Sequence, residues 1–486
     1  MDLNYVFRPK TLAVVGVSTK NLFNPGTVIL RKNRFMRPHG AGVYGVNPRG
    51  GVIEGMPLFA KLEDIPERLD LVVSAVRAKD TIGVMEEACE LGTRALIVVS
   101  GGFAEVGNRD LQDRLVRIVE KHDVACVGPN CVGVFNPPHV DTFFIPSERF
   151  VRPKMGGNTA LVSQSGGILA DQFFAKFAQW DVPISAAVSV GNKACVGEIE
   201  LLEYFTRDPQ TKNIALYVED FKDGRRFLEV TTRTNKTVIV YRGGRTEYGS
   251  AAVQSHTAAV ASSPLLTSCA LKQYGVVEVR NEQELVNFAK IFTVMAKDEK
   301  PFLPRVVRGD LVVLSVSGGH GVLASDLVKE YGMRLVRFTE EEKQALKELV
   351  NPSAAAIASY NNPIDLTGSV VDDDIVRTTE ALLQMDKVEG LILLILPYPP
   401  LISMHLGNRI QSLVRIHRKP VVAYVPRLAR YGMILEALEE GNVPCADSIE
   451  QAVEMMYAVH LRSLGLRRRE KNLLVDAGLS DEYYAL

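Results

Sequence analysis

His256 lies in a segment whose residue types suit phosphoryl transfer. Residues 249–259 read G-S-A-A-V-Q-S-H-T-A-A, and these small and hydroxyl-bearing residues let backbone approach closely and leave an imidazole unobstructed. Arg242 and Arg245 precede the segment and could offset the charge of a phosphate. Glu219 follows the apolar run 214–218 and could keep one ring nitrogen protonated, which leaves the other as a nucleophile. From the residues alone, a packed histidine and an exposed glutamate stay open as alternatives.

Two serine- and glycine-rich loops each follow an apolar run and precede a predicted helix. The first S-G-G loop, residues 163–167, reads S-Q-S-G-G, and the second S-G-G loop, residues 315–321, reads S-V-S-G-G-H-G. A helix N-terminus of this kind presents free N–H groups and the positive end of the helix dipole, so an oxyanion is favoured there. We predict that the two helix ends could face one phosphate from opposite sides. The role of His320 in the second loop stays undecided.

These residues require parallel sheets to position them. Short β-branched runs such as 11–15, 69–74 and 94–99 alternate with helical patterns, which predicts doubly wound α/β folds with ligands at the carboxyl ends of the strands. The loop at 16–20 holds Gly16, Ser18 and Lys20 and could contact a phosphate, although alone it could be only a tight turn. Further strand-end loops at 47–50, 76–79, 100–103 and 128–131 favour a polyanion with an adenine-like part. No complete G-x-G-x-x-G and no Walker A motif occurs.

The apolar runs restart twice along the 486 residues. A proline-rich stretch at 136–153 and a linker at 300–304 separate the three sets of runs. We therefore predict three consecutive α/β domains at 1–140, 150–295 and 305–465, with a C-terminal tail at 466–486 that reads as a solvated helix end.

Composition narrows the class of function. Lysine and arginine number 56 against 57 aspartate and glutamate residues, which gives no electrostatic case for nucleic acid or a membrane surface. The longest apolar segment, 390–402, is short for a membrane span and holds three prolines. Six cysteines without a C-x-x-C pair fit a reducing cytoplasm, and no cysteine or histidine spacing predicts a metal site.

A set of motifs in one order carries a family resemblance. They read V-V-G-V-S, V-N-P-R-G, S-G-G-F-A-E, G-P-N-C-V-G, S-Q-S-G-G, V-G-N-K-A, Y-V-E-D-F-K-D-G, Q-S-H-T and N-P-I-D-L-T-G. The chain resembles, over nearly its full length, the α subunit of ADP-forming acyl-CoA synthetases, relatives of succinyl-CoA synthetase. The resemblance implies a Rossmann-like CoA-binding domain followed by two flavodoxin-like domains. Departures from the family pattern include Cys195 after G-N-K-A and His320 in the second S-G-G loop.

The same resemblance implies roles for single residues. His256 would carry the phosphoryl group and Glu219 would orient it. Phosphate would be held by five residues of the two S-G-G loops, which are Ser165, Gly166, Gly167, Gly318 and Gly319. CoA would be held at strand ends of the first domain, by Gly16, Ser18, Lys20, Asn47, Pro48, Arg49, Val76 and Ala78.

A ligase of this kind needs a partner. The family's ATP or ADP site, with Mg²⁺, lies in an ATP-grasp module that this chain lacks room for after residue 465, so a separate β subunit and an α2β2 assembly are expected. The substrate would be a small carboxylic acid or its acyl-CoA, of a kind that the sequence leaves open. The alternative is a non-catalytic CoA- or acyl-CoA-binding regulatory protein of the same architecture. A nicotinamide-dependent oxidoreductase has only the sheet class in its favour.

Overall fold

The computed structural model describes residues 1–37, 42–257, 263–297, 305–397 and 399–476, with the side chains of 254–257 and 472–476 outside this description. The chain forms two compact units. One comprises residues 1–271 and 278–286, and the other comprises residues 272–277 and the chain from 287 onward. In the described part of the chain, no helix is both long and apolar enough to cross a bilayer.

The first sheet lies in the N-terminal part of the first unit. Its strands are β1 (Leu12–Val15), β2 (Val43–Val46), β3 (Val52–Ile53), β4 (Met56–Phe59), β5 (Leu71–Ser74), β6 (Ala95–Val98) and β7 (Ala125–Val127), in the order β3-β4-β2-β1-β5-β6-β7. Its helices are α1 (Asn4–Phe7), α2 (Pro25–Met36), α3 (Ala78–Glu90) and α4 (Arg109–His122). All residues of β1, β5 and β6 are buried, because helices cover both faces of a parallel sheet and leave no polar face.

The second sheet follows along the chain. Its strands are β8 (Gly133–Asn136), β9 (Val140–Asp141), β10 (Met155–Ser163), β11 (Ile184–Ser189), β12 (Asn213–Val218), β13 (Thr237–Arg242) and β14 (Val277–Val279), in the order β14-β13-β12-β10-β11-β8-β9. Its helices are α5 (Phe174–Gln179), α6 (Glu198–Arg207), α7 (Gly224–Thr232), α8 (Glu247–Thr257), α9 (Pro264–Gln273) and α10 (Glu282–Met295). A wider helical turn, Ile168–Phe173, leads into α5.

The third sheet belongs to the second unit. Its strands are β15 (Asp310–Ser315), β16 (Arg334–Leu335), β17 (Ile364–Asp365), β18 (Gly390–Leu394), β19 (Val421–Tyr424) and β20 (Cys445–Ala446). The helices are α11 (Gly318–Glu330), α12 (Glu340–Glu348), α13 (Pro352–Ala355), α14 (Asp372–Gln384), α15 (Leu406–His417), α16 (Gly432–Glu440) and α17 (Ile449–Asp476). The strand order is β16-β15-β18-β19-β20, and β17 also pairs with β15, all in parallel.

The predicted α/β class is confirmed by these three mainly parallel sheets, the first of which also holds the antiparallel pair of β3 and β4. β8 lies within the range predicted for the first domain and β9 at the end of that range, yet both belong to the second sheet, since β8 pairs antiparallel with β11 and β9 pairs antiparallel with β8. The cause is local: prolines at 137 and 138 turn the chain into a short hairpin whose Phe135 packs on Phe143 and Phe174. The three-domain division itself stays a prediction, with the three sheets in its favour.

The start of the predicted tail is a helix that is solvated except at Arg469. Residue 466 lies inside α17, and Arg469 on that helix is only 5% exposed. Its guanidinium donates to the carbonyls of Tyr274 at 2.7 Å and Gly275 at 2.9 Å, which satisfies the buried charge-bearing group. Arg467, Arg468, Glu470 and Lys471 are exposed on the helix as predicted, so only Arg469 departs from the prediction. A buried arginine with backbone acceptors has the same sequence pattern as an exposed one.

Candidate functional site

A cavity of about 470 Å³ lies within the first unit. Strand-end loops of both its sheets line it, which is the position expected for ligands in parallel sheets. The lining includes Val99, Ala104, Glu105, Gln112, Asn130, Cys131, Val132, Phe144, Gln164, Ser165, Gly166, Gly167, Gly191, Asn192, Lys193, Glu219, Asp220 and Lys222. Four residues predicted as site residues are therefore brought together here, namely Ser165, Gly166, Gly167 and Glu219.

The first S-G-G loop forms one wall of this cavity. Ser163 Oγ, at the end of β10, donates to the Ser165 carbonyl at 2.7 Å, and Ser165 Oγ accepts from the Ile168 N–H at 3.3 Å. A Cβ at Gly166 would lie 2.2 Å from Cγ2 of Val132, so close packing requires glycine there. The loop runs directly into the helical turn Ile168–Phe173, which places its backbone at a helix N-terminus suited to an oxyanion.

Glu219 also lines the cavity, directly after β12. Its backbone N–H donates to Gln164 Oε1 at 2.9 Å, and its Oε1 accepts from the Tyr217 hydroxyl at 3.3 Å. Burial raises the pKa of the Tyr217 hydroxyl, and the neighbouring Glu219 carboxylate raises it further. Tyr217 therefore remains a neutral donor that orients the carboxylate.

The first domain supplies a second carboxylate that the sequence did not single out. Glu105 accepts from the N–H of Gly102 at 2.5 Å and of Phe103 at 3.2 Å, and from Asn192 Nδ2 at 2.5 Å. Burial alone would raise the pKa of Glu105, but these hydrogen bonds, with that from Asn192 the strongest, lower it overall. Asn130 donates to the Asn192 side chain at 3.3 Å and completes the network.

These missed residues do have a sequence signal. Glu105, Asn130 and Asn192 stand in the S-G-G-F-A-E, G-P-N-C-V-G and V-G-N-K-A motifs, each just after a strand. The loops near 100 and 128 were grouped with the loops predicted for CoA. In the structure, their Glu105 and Asn130 instead line the cavity that holds the first S-G-G loop.

The residues predicted for CoA lie at the carboxyl ends of β1, β2 and β5, which are neighbours in the first sheet. Gly16 has a φ of 98°, and a Cβ there would lie 2.6 Å from the Ala75 carbonyl oxygen. Asn47 Nδ2 donates to the Val17 carbonyl at 2.8 Å, and Asn47 Oδ1 accepts from the Arg49 N–H at 2.9 Å. Asn47 thus joins the loop after β2 to the loop after β1.

The remaining predicted CoA residues complete this edge. Ser18 Oγ accepts from the Lys20 N–H at 3.3 Å, which folds the first loop back on itself. Pro48 lies between Asn47 and Arg49, and Val76 and Ala78 lie where β5 leads into α3. The structure therefore places all eight residues at one edge, while their role in binding CoA stays a prediction.

His256 lies near the carboxyl end of α8. The backbone of this helix is described, but the side chain of His256 lies outside the described residues, so its role stays a prediction. Cα atoms of α8 lie within 8 Å of those of the short 3-10 helix Ala104–Val106, two of whose residues line the cavity. The helix that carries the histidine therefore passes beside the cavity.

Of the two arginines before α8, Arg242 does not serve as expected, and the expectation for the exposed Arg245 stays a prediction. Arg242 is only 4% exposed and its Nε lies 3.2 Å from Glu278 Oε1. It also donates to the Pro264 carbonyl at 2.9 Å and to Ser268 Oγ at 3.0 Å. Arg245 donates to the Arg280 carbonyl. The guanidinium of Arg242 is thus committed to an ion pair and to the start of α9, so the expectation that it offsets phosphate charge is wrong.

The second S-G-G loop repeats the geometry of the first in the second unit. Ser315 Oγ donates to the Ser317 carbonyl at 2.8 Å, as Ser163 does to Ser165. Gly318 and Gly319 begin α11, and His320 Nδ1 lies 3.0 Å from Ser317 Oγ. A shared phosphate between the two loops stays a prediction.

Comparison with known proteins identifies the family. Residues 10–137 match the CoA binding domain model, and residues 156–292 match the model of the succinyl-CoA ligase like flavodoxin domain. The chain is 30% identical over 472 residues to the α subunit of ADP-forming acetate–CoA ligase II of Pyrococcus furiosus, covering 94% of this chain and 97% of that subunit. The chain belongs to the ADP-forming acyl-CoA synthetase family. The predicted resemblance and the predicted CoA-binding and flavodoxin-like folds are thereby confirmed.

Two further relatives show the extent of the likeness within the ADP-forming acyl-CoA synthetase family. An ADP-forming acetate–CoA ligase of Methanocaldococcus jannaschii is 30% identical and covers 76% of this chain, but this chain spans only 50% of its length. A solved structure of the dinucleotide forming acetyl-coenzyme A synthetase 1 of Candidatus Korarchaeum cryptofilum, in complex with phosphate and ADP, has a TM-score of 0.83 and 29% identity. The structural match covers 97% of this chain and 99% of the matched chain.

Proposed function

We propose that this chain is the catalytic, CoA-binding α subunit of an NDP-forming acyl-CoA synthetase that works through a phosphohistidine at His256. One observation carries the proposal. A single cavity joins the first S-G-G loop to Glu219, and α8, which holds His256, passes beside it. The relatives are named as ligases, which favours catalysis over a non-catalytic CoA-binding role.

The reaction proceeds in three balanced steps. Phosphate attacks the acyl carbonyl of the acyl-CoA, the C–S bond breaks, and CoA leaves with an acyl phosphate remaining. A ring nitrogen of His256 then attacks phosphorus, the bond from phosphorus to the acyl oxygen breaks, and the carboxylate leaves. The phosphoryl group finally passes from the histidine to ADP, which becomes ATP, and all steps are reversible.

The chain's residues divide these tasks. Ser165, Gly166 and Gly167 would bind phosphate through backbone N–H groups at a helix N-terminus, and Gly318 and Gly319 would offer phosphate the same kind of group at the start of α11. Glu219, oriented by Tyr217, would accept a hydrogen bond from His256 and stabilise the imidazolium that forms.

The CoA site of this proposal lies at the ends of β1, β2 and β5. Gly16, Ser18 and Lys20 would contact phosphate groups of CoA, with Asn47, Pro48 and Arg49 beside them and Val76 and Ala78 completing the edge. The matched CoA binding domain model covers all of these residues and supports the assignment.

The nucleotide would be bound by another polypeptide. We assign ADP or ATP, with Mg²⁺, to an ATP-grasp β subunit in an α2β2 assembly. The support is the name of the α-subunit relative of similar length and the longer Methanocaldococcus jannaschii ligase, of whose length this chain spans only 50%. A cytoplasmic location accords with cysteines that are all free thiols in the described residues.

A coupled assay tests the proposal. The purified chain and its candidate partner receive ADP, Mg²⁺ and phosphate with acetyl-, isobutyryl-, phenylacetyl- or succinyl-CoA. ATP and free CoA should appear in equal amounts with at least one acyl-CoA, and neither should appear without phosphate. Measurable binding of CoA or acyl-CoA, with no ATP from any member of a broader acyl panel, would favour the regulatory alternative.

A further inference from the structure

Lys193 is a buried lysine in the wall of the cavity, and its contacts decide what it can do. The side chain is 2% exposed, and its Nζ lies 3.0 Å from Glu198 Oε2, 3.1 Å from Asp220 Oδ1 and 2.6 Å from the Asp220 carbonyl oxygen. An ammonium group has three N–H donors and no acceptor. Three protein oxygens therefore account for its donors. Lys193 therefore links two loops through hydrogen bonds and does not act as a phosphate-binding cation.

A second lysine links the same two loops, and it extends from the loop that Lys193 contacts back to the loop that holds Lys193. Lys222, from the loop after β12, donates through Nζ to the carbonyls of Lys193 and of Ala194, the latter at 3.2 Å. Lys193, from the loop after β11, reaches the loop after β12 at Asp220. The loops that end these two strands are thus joined by reciprocal charge-assisted hydrogen bonds, which are stronger than neutral ones.

Gln164 connects this pair of loops to the first S-G-G loop. Its side chain is 7% exposed and uses both ends, since Nε2 donates to Asp220 Oδ1 at 2.8 Å and Oε1 accepts from the Glu219 N–H at 2.9 Å. Gln164 directly precedes Ser165 in the chain. The residue before the phosphate-binding segment therefore holds the backbone of Glu219 itself.

We propose that Gln164 and Lys193 are positioning residues that fix Glu219 relative to residues 165–167. The chain from Lys193 through Asp220 to Gln164 sets the backbone of Glu219, and so sets where its carboxylate meets the histidine. This inference rests on the proposed function. A displacement of about 1 Å at a catalytic group lowers a rate by roughly 100-fold, so loss of this support should reduce phosphoryl transfer and leave CoA binding intact.

Two substitutions at one position test the inference. Gln164→Met keeps the length of the side chain and removes both hydrogen bonds. Gln164→Glu keeps an acceptor for the Glu219 N–H but places a carboxyl group beside Asp220, where only its protonated form can donate. Gln210→Met is the matched control, because Gln210 also makes a hydrogen bond, to the Gly157 carbonyl at 3.1 Å, at the opposite end of β10.

Each variant is assayed with the partner subunit for single-turnover labelling by γ-labelled ATP, for CoA affinity and for amide hydrogen exchange at Glu219. Gln164→Met should slow labelling by about 10- to 100-fold, with CoA affinity within about twofold of wild type. It should also speed exchange at Glu219. Gln164→Glu should be slow near pH 8 and regain activity relative to wild type as pH falls towards about 6, as the introduced carboxyl gains its proton.

The contrary outcomes are distinct. Labelling by Gln164→Met at the wild-type rate, or equal losses in Gln164→Met and Gln210→Met, would overturn the positioning role. Unchanged exchange at Glu219 in Gln164→Met would overturn it independently of any activity. If folded, CoA-binding wild type fails to label, the proposed function fails, and the inference falls with it.

Discussion

Gly166 is a position in the cavity wall where the packing demands glycine. A Cβ there would lie 2.2 Å from Cγ2 of Val132 and 3.2 Å from its Cβ. Carbon atoms in contact normally lie about 3.5 Å apart or more, so Gly166→Ala must open this contact by about 1.3 Å. Val132 is buried, which restricts rotation of its side chain, and the 3.2 Å contact with its Cβ needs a shift of only a few tenths of an ångström.

The magnitude follows from that overlap. Forcing a methyl group into a packed site costs about 1–3 kcal/mol of folding free energy, and a shift of about 1 Å in a catalytic loop costs roughly 100-fold in rate. We expect Gly166→Ala to fold with a lower melting temperature and to lose about 100-fold in ATP formation. The expected loss lies in turnover, because CoA would bind after β1, β2 and β5, whereas Gly166 lies in the cavity beside the loops that follow β6 and β7.

Control variants distinguish steric overlap at Gly166 from a general loss of stability. Gly83→Ala is the control, since a Cβ at Gly83 in α3 meets nothing within 4 Å and alanine favours a helix. The double variant Gly166→Ala with Val132→Ala removes the Cγ2 contact and should recover most of the activity, measured against Val132→Ala alone. Wild-type turnover in Gly166→Ala, or no recovery in the double variant, would refute the steric argument.

Three further predictions concern other parts of the chain. Glu105 has a lowered pKa, so its contribution to stability should be complete above the ordinary carboxyl pKa of 4.5 and should vanish as pH falls through the lower folded value. Chemical denaturation of Glu105→Gln across pH, with Glu86→Gln on α3 as control, measures this. Arg469→Met should destabilise the second unit by about 3 kcal/mol because two carbonyls lose a buried donor, whereas exposed Arg467→Met should cost little, as thermal unfolding can show. Asn47→Ala should weaken CoA binding by about fivefold in calorimetry, since one lost loop hydrogen bond is worth about 1 kcal/mol.

The strands of the parallel sheets were predictable because burial on both faces produces continuous apolar runs. Runs at 11–15, 69–74 and 94–99 correspond to β1, β5 and β6. Short antiparallel strands were not predictable in this way. β8 and β9 lie in a proline-rich stretch whose pairing depends on the neighbouring sheet. Their composition therefore resembles that of a linker.

The same distinction applies to the candidate site: residues that directly follow a strand were predictable, and residues brought there by packing between loops were not. Gly166 and Glu219 follow their own strands, so the rule that ligands bind at strand ends placed them correctly at the cavity. Glu105 and Lys193 escaped notice because packing between loops of different strands brings them there. The prediction that Arg242 offsets phosphate charge was wrong for a different reason. It is near His256 in sequence, but a buried guanidinium needs a carboxylate, and Glu278 satisfies it.

The central claim is that His256 carries a phosphoryl group with help from Glu219. The most direct measurement is labelling of the purified chain by γ-labelled ATP, Mg²⁺ and the partner subunit, followed by an acid-lability test. The account predicts an acid-labile label on wild type, none on His256→Ala, and slowed labelling of Glu219→Gln. Label that persists on His256→Ala, or no label on wild type with an active partner and confirmed CoA binding, would contradict it.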